Sequence, residues 1–276
     1  MNKFLIIGGD LRLYYLSELL KDDGYTVISK YNKNNSNLSL KESIEICDYI
    51  ICPLPFTKDN INIFSLSPNE DLCIQNFLKY VNNNHTIFGG NIPNPVKNEL
   101  KKKCIKFYDL SDNNEICIKN AIATAEGAIA EAIKLSNINL HKSHCLITGY
   151  GRCGSVLAQK LKGLDTYVTI ADKCIDQVSK AYSFGFDTLD IDDISCKINK
   201  FDFVFNTIPE LILDKNVINL MKKEITIIDI ASNPGGTDWD LCNELGINAH
   251  NSLGLPGKYS PKSSAEILYN AISKNL

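Results

Sequence analysis

Short apolar runs alternate with segments whose apolar residues recur every three or four positions, and the alternation continues along most of the 276 residues. Lys3–Ile7 reads as a strand that stops at Gly8-Gly9-Asp10, with a helix to about Asp22. Further strands are predicted at Tyr25–Ser29, Asp48–Cys52, Thr86–Phe88 and Cys104–Tyr108, with helices near Asn69–Tyr80 and after Pro95. The Asn/Ser-rich stretch Lys30–Ser39 reads as a flexible loop. Asn120–Leu135 is alanine-rich and reads as a helix bridging two domains. The pattern then restarts, with strands at Cys145–Thr148, Tyr167–Ala171, Phe203–Asn206, Thr226–Ile230 and Ile247–His250, and helices after Gly154, at Ile175–Phe184 and at Trp239–Leu245. A final helix, Pro261–Lys274, could cap its own domain or return to the first. Alternation of this kind implies parallel sheets covered on both faces. The expected fold class is α/β, with two doubly wound, Rossmann-like domains joined by a bridging helix. The expected divisions are an N-terminal flavodoxin- or Rossmann-like domain at 1–119, the bridging helix at 120–136, a dinucleotide-binding domain at 137–260 and a C-terminal helix at 261–276.

The most specific local signal is His144–Gly154. The apolar run stops at Gly149, Gly151 and Gly154, spaced G-x-G-x-x-G, and Gly154, Leu157, Leu161 and Leu164 continue at helical spacing. Strand, glycine turn and helix form the context that gives this motif meaning. Gly149 permits the tight turn, Gly151 lets backbone amides approach a pyrophosphate at the helix N-terminus, and Gly154 lets helix and strand pack closely. Arg152 and Cys153 lie inside the motif. The alternative is a glycine turn with no ligand. Asp172 ends the next strand about 20 residues on, where a carboxylate accepts hydrogen bonds from the ribose of NAD and repels the 2′-phosphate of NADP. Lys173 beside it blurs that choice, and a turn aspartate capping the next helix is the alternative.

Other candidate residues lie at predicted strand ends, where open parallel sheets bind ligands. These are Gly8–Arg12, Asn206-Thr207-Ile208-Pro209, and Ala231–Asp238, which includes Ser232 and Thr237. All would face one cleft if the domains pack with those edges opposed. The chain's two arginines, Arg12 and Arg152, both fall in glycine turns, which favours carboxylate or phosphate binding over a plain surface role. Ile122, Glu126, Ile129 and Ile133 share one face of the bridging helix, with Glu131 directed to water. A carboxylate in an apolar stripe is paired, at its edge, or functional, so Glu126 is a candidate at the cleft floor. Leu253–Gly257, with Pro256, reads as a loop flanked by Lys258 and Lys262. Lys258 reads as a solvated lysine, whereas Lys262 at a helix start opposes the dipole and favours an anion. His250 is either structural or an acid–base group.

Bulk properties narrow the classes. A net charge of −3 without a basic stripe gives no case for nucleic acid. The N-terminal apolar run is too short for a signal peptide, and no stretch approaches the roughly 20 apolar residues of a membrane span. Ten cysteines without a C-x-x-C pair sit inside predicted elements and read as reduced thiols of a cytoplasmic protein. Four histidines, none paired at ligand spacing, argue against a metal site.

Seven segments carry a resemblance: I-G-G-D-L-R at Ile7–Arg12, T-A-E-G around Glu126, G-Y-G-R-C-G, N-T-I-P at Asn206–Pro209, I-A-S-N-P-G-G-T-D at Ile230–Asp238, G-L-P-G, and S-P-K-S-S-A-E-I-L at Ser260–Leu268. On these the chain resembles, nearly end to end, the family of the dipicolinate synthase A-subunits. The resemblance implies a nicotinamide-binding fold related to 2-hydroxyacid dehydrogenases. It also implies a partner, the dipicolinate synthase B-subunit, which is similar to flavoproteins and could carry FMN. The implied reaction is oxidation of dihydrodipicolinate to dipicolinate in the sporulating mother cell. Two positions depart from the family pattern. Asn233 stands where the family often has Arg. Asp172 stands where a small residue followed by Arg would suit NADP, and so leans toward NAD.

The leading expectation is an oxidoreductase using NAD or NADP. The nicotinamide cofactor would lie along Gly149–Gly154, Asp172, Thr207, Ile208, Pro209, Ala231 and Ser232. A small planar dicarboxylate would contact Arg152 and Lys262, with Arg12, Thr237 and Pro256 as further contacts. Glu126, Ser232 and Lys262 are the catalytic candidates, Glu126 as base. The rival is a nucleotide-binding regulatory or scaffold protein whose partner does the chemistry. An ordinary 2-hydroxyacid dehydrogenase ranks last, because Asn233 stands about where its substrate arginine is expected. Self-association into a homo-oligomer is compatible with each.

Overall fold

The computed structural model describes residues 2–32, 36–67 and 70–276. Part of the expected loop at 30–39 and the start of the helix expected from Asn69 therefore lie outside the described residues. The chain forms two compact units, one of residues 1–120 with 260–276, the other of residues 121–259.

The first unit contains β1 (Lys3–Ile7), α1 (Leu11–Asp22), β2 (Thr26–Lys30), α2 (Leu40–Glu45), β3 (Tyr49–Ile51), α3 (Ile74–Tyr80), β4 (Thr86–Gly89), α4 (Asn94–Lys102) and β5 (Lys106–Asp109). Its strands are all parallel, in the order β2-β1-β3-β4-β5. The run Phe4–Ile7 is apolar throughout because both faces of β1 are covered. Leu5 and Ile7 face a core with Ile44 and Phe77, while Phe4 and Ile6 face Leu13, Leu16 and Leu20 of α1. The C-terminal helix shares that second core through Ala265, Leu268 and Ile272, so it completes the first unit.

Helix α5 (Asn114–Leu135) starts earlier than its alanine-rich part and runs from one unit into the other. The second unit continues with β6 (His144–Thr148), α6 (Arg152–Lys162), β7 (Tyr167–Asp172), α7 (Ile175–Ser183), β8 (Asp187–Asp190), α8 (Ile194–Lys197), β9 (Phe203–Asn206), α9 (Lys215–Ile218), β10 (Thr226–Asp229), α10 (Trp239–Leu245), β11 (Asn248–Asn251) and α11 (Leu255–Tyr259). The C-terminal α12 (Pro261–Ser273) follows. The sheet is again parallel, in the order β11-β10-β9-β6-β7-β8, which is the doubly wound dinucleotide-binding topology. The expected α/β class with two such sheets holds.

Three local expectations are corrected. Leu253–Gly257 is not wholly a loop: Leu255 begins α11, and Pro256 is tolerated in its first turn because no intrahelical donor is needed there. The edge strand β8 was not expected, since Asp187–Asp190 carries a single large apolar side chain, Leu189. On α5 the buried face is rotated away from the predicted one, with only Ile129 of the expected stripe packed against the core. Ala125, Ala128 and Ala132 are buried against Cys145, Ile147 and Leu157, while Ile122 and Ile133 are exposed. Small side chains let the helix approach the sheet closely, which the isoleucine stripe would prevent. Ala128→Leu should therefore lower the unfolding free energy by about 1–3 kcal/mol through overpacking. Ile133→Ala should change it by less than about 0.5 kcal/mol. Urea titrations of the two variants check the assignment.

Candidate functional site

At the carboxyl end of β6 the three glycines have separate jobs. Gly149 sits at φ +91°, a left-handed conformation, and a Cβ there would collide with Thr207 Oγ1. Gly154 is buried, and a Cβ there would collide with the Gly149 carbonyl oxygen. Gly151 differs from both. It is exposed at the N-cap of α6, no side chain caps the helix, and a Cβ there would meet nothing within 4 Å. The turn is thus tight at its ends and open in its middle, at the positive end of an 11-residue helix. Arg152 is exposed in the first turn of that helix, and Cys153 is half-buried.

The neighbouring strand ends are joined by a buried polar row. Thr148, Asn206 and Asp229 are in register on β6, β9 and β10. Thr148 Oγ1 donates to Asn206 Oδ1 at 2.6 Å, and Asn206 Nδ2 donates to Asp229 Oδ1 at 2.9 Å. Asp229, 1 % exposed, also accepts from the Ala231 amide at 2.9 Å, the Gly236 amide at 3.0 Å and Thr237 Oγ1 at 2.7 Å. Both ends of the 231–237 loop are thereby fixed, and Ser232 is exposed directly after the anchored Ala231. Thr207 donates to the Thr148 carbonyl, and the Ile208 amide to Asn206 Oδ1, which fixes the loop leading to exposed Pro209. Thr237 was expected to contact substrate. Its hydroxyl instead donates to Asp229, because a buried carboxylate needs donors. Sequence reasoning overlooked Asp229, although an aspartate inside the apolar run Thr226–Ile230 is the signal that would have found it.

Asp172 accepts the Tyr150 amide at 2.7 Å and the Cys174 amide at 2.8 Å, tying the end of β7 to the glycine turn. Lys173 pairs with Glu210.

Several further candidates have partners inside their own unit. Arg12 is buried beside Asp10, which accepts from Nε and Nη2 at 2.8–3.1 Å, and Nη2 also donates to the Leu54 carbonyl. Its charge is therefore met inside the first unit. Glu126 is a half-exposed carboxylate paired with Lys160 at 2.8 Å, on the solvent face of α5, which removes the basis for a buried catalytic base. Glu131, expected in water, is 5 % exposed and bonded to Lys258 and Tyr259 Oη. Lys258 is accordingly an ion-pair partner. Pro256 lies half-buried in α11, His250 is bonded to Asn248, and Lys262 is exposed in the first turn of α12. Among the described residues, no group of three or more His, Cys, Asp or Glu is placed to hold a metal, and no helix is long and apolar enough to cross a membrane.

The parallel sheet in the order of the second unit, with a strand, glycine turn and helix at its switch point, defines a dehydrogenase-type dinucleotide-binding fold. Comparison bears this out: residues 118–245 match the family described as D-isomer specific 2-hydroxyacid dehydrogenase, NAD binding domain. Residues 3–111 match the family of the N-terminal domain of the dipicolinate synthase A-subunit. The A-subunit of dipicolinate synthase from Bacillus subtilis (strain 168) is 28% identical, over 99% of this chain and 95% of its own. A crystal structure of the Bacillus halodurans A-subunit superposes with a TM-score of 0.88 at 26% identity, covering 99% of this chain and 97% of the other. The Bacillus subtilis crystal structure gives 0.84 at 27% identity, covering 99% and 95%. The chain thus resembles the dipicolinate synthase A-subunit along its whole length.

The Glu131 cluster yields a pH prediction. Burial alone would raise the Glu131 carboxyl, but hydrogen bonds from Lys258 and Tyr259 outweigh it and hold the group below its ordinary range. A carboxyl lowered in the folded state stabilises it above the unfolded value near 4.5, and that contribution is lost as pH falls through the folded value. Glu131→Gln should lower the unfolding free energy by about 1–2 kcal/mol at pH 7. The deficit should shrink on acidification below pH of about 4. Denaturation midpoints measured from pH 7 to 3 test this.

Proposed function

We propose that the second unit binds a nicotinamide dinucleotide at Gly149–Gly154. In this reading the chain is the dinucleotide-binding component of an oxidoreductase that converts dihydrodipicolinate to dipicolinate. The observation that carries the proposal is the open space at Gly151, at the N-terminus of α6, in a turn whose other two glycines have no room for a Cβ. That is the cradle a diphosphate needs, since backbone amides can then approach it without a side chain between. The full-length likeness to the dipicolinate synthase A-subunit supports this choice of substrate.

When bound, the nicotinamide would supply hydride exchange. The chain's own residues would orient it. Gly151, Arg152, Cys153 and Gly154 would face the diphosphate, and Asp172, already fixed by two amides, would accept from ribose hydroxyls. Thr207, Ile208, Pro209, Ala231 and Ser232 would form a rim made rigid by Asn206 and Asp229. Oxidation to an aromatic product is strongly favourable, so positioning and water exclusion would be the protein's main tasks. Arg152, exposed in the first turn of α6, would be this unit's cation for a planar dicarboxylate. The Bacillus subtilis relative is one component of a synthase with more than one kind of chain. By that likeness the partner of this chain would be a B-subunit, with FMN as an option there, and the pair would act in the cytoplasm of a sporulating mother cell.

A second reading is a nucleotide-binding regulatory or scaffold protein. It is favoured by one finding: Arg12, Glu126 and Thr237 all engage internal partners.

Gly151→Ala separates a ligand role from a folding role. It should leave the thermal midpoint within about 2 °C, since its Cβ enters open space, while weakening NADH and NADPH binding at least about tenfold. Gly154→Ala should instead destabilise the fold. Unchanged nucleotide affinity in Gly151→Ala would sink the site assignment. Stopped-flow absorbance with dihydrodipicolinate and NAD(P), for the chain alone and with its partner, distinguishes the two readings. Nucleotide binding without reduction in either arm selects the regulatory one.

A further inference from the structure

Lys173 and Glu210 stand on two loops that flank the glycine turn. Lys173 directly follows β7, and Glu210 lies in the loop after β9. The sheet order β9-β6-β7 puts the end of β6 between them. Yet Lys173 Nζ reaches both Glu210 carboxylate oxygens, at 2.9 and 2.8 Å. Strands two places apart in a sheet are separated by about 10 Å. The pair therefore links the two loops on either side of the end of β6, where the glycine turn begins. Both side chains are well exposed, at 60% and 62%. Such pairs add little to stability, so what they do at this site is a matter of charge rather than of folding.

This corner would receive the ribose that Asp172 reads. Asp172, Lys173 and Glu210 together leave it one negative charge, with the lysine neutralised by Glu210. A 2′-phosphate would add about two more negative charges. Without Glu210, the corner would be neutral and would hold an unpaired ammonium within reach of that phosphate. We propose that Glu210 determines the cofactor preference of this chain, by engaging Lys173 and so disfavouring a 2′-phosphorylated dinucleotide. This rests on the dinucleotide site proposed above. Lys173 alone argues for NADP and Asp172 alone for NAD. The ion pair decides between them from a loop distant in sequence.

The test is equilibrium binding of NADH and NADPH, followed by nicotinamide fluorescence, to the full chain and two variants. The wild type should prefer NADH. Glu210→Gln should tighten NADPH about fivefold or more, as a freed lysine forms a charge-assisted bond to phosphate. NADH affinity should stay within about twofold. Adding Lys173→Met to Glu210→Gln should abolish the gain. An unchanged NADPH-to-NADH ratio in Glu210→Gln, a gain that survives loss of Lys173, or a wild type that prefers NADPH would each overturn the proposal while leaving the dinucleotide site intact. Failure of all three proteins to bind either nucleotide would overturn both.

Discussion

A carboxylate buried without a cation has to be surrounded by donors, and Asp229 is such a group. Leaving it unsatisfied would cost several kcal/mol, so the chain around it has little freedom. Its four donors come from Asn206 on the neighbouring strand and from both ends of the 231–237 loop. Asn206 in turn fixes the Ile208 amide and the Thr148 hydroxyl. Thr207 then lies where a Cβ on Gly149 would be, and a Cβ on Gly236 would strike Ile208 and Glu210 backbone oxygens at 2.6 and 2.7 Å. The loops framing the glycine turn are thus clasped to one another through hydrogen bonds that start at one carboxylate. A dinucleotide bound at this turn, as proposed, would benefit from that kind of support.

Helix α5 is arranged by a different rule. Its alanines and Gly127 face inward, and a Cβ on Gly127 would sit 2.8 Å from Leu255 Cβ and 3.1 Å from Tyr259 Cδ2. That closeness brings α11 against α5 and carries Lys258 and Tyr259 to Glu131. The carboxylate is accordingly buried because the helix is narrow on that face, and it is compensated because the neighbouring turn supplies a cation and a phenol. Glu126, one turn earlier and on the outer face, pairs with Lys160 in solvent.

Much of this could be read from the chain, and the exceptions have physical causes. Strands such as β1 and β9 were legible to the residue because central parallel strands are apolar on both faces. The glycine motif was legible because three spacings and two flanking patterns coincide. The burial of α5 was misjudged because hydrophobicity alone ranks isoleucine above alanine, whereas close helix packing selects the smaller side chain. Short α11 was hidden by a Leu-Pro-Gly sequence that normally marks a turn, and β8 by a polar sequence suited to a sheet edge. An aspartate inside the apolar run Thr226–Ile230 flags Asp229, but its partners, the Glu131 cluster and the Lys173–Glu210 pair depend on contacts that no local pattern encodes. The two arginines illustrate the same limit. Both occur in glycine turns, yet Arg12 is buried against Asp10 whereas Arg152 is exposed at the start of α6.

The two sheets make this contrast general. Each begins with a strand, a glycine turn and a helix, and each uses an aspartate just before a neighbouring strand to hold the first strand: Asp48 accepts the Lys3 amide, and Asp202 the His144 amide. Their switch points nonetheless differ. In the first unit a Cβ on Gly8 would lie 2.5 Å from the Phe64 carbonyl oxygen, and the Gly9 amide donates to that same oxygen. The glycines there admit another part of the chain, and Arg12 bridges to the end of β3 at Leu54. In the second unit Gly151 admits nothing from the protein. A glycine without a neighbour has no packing reason to be glycine at a φ of −75°, a conformation open to any residue. That opening at a helix N-terminus is what the proposed dinucleotide site rests on, since a bound anion would need the backbone free of a side chain.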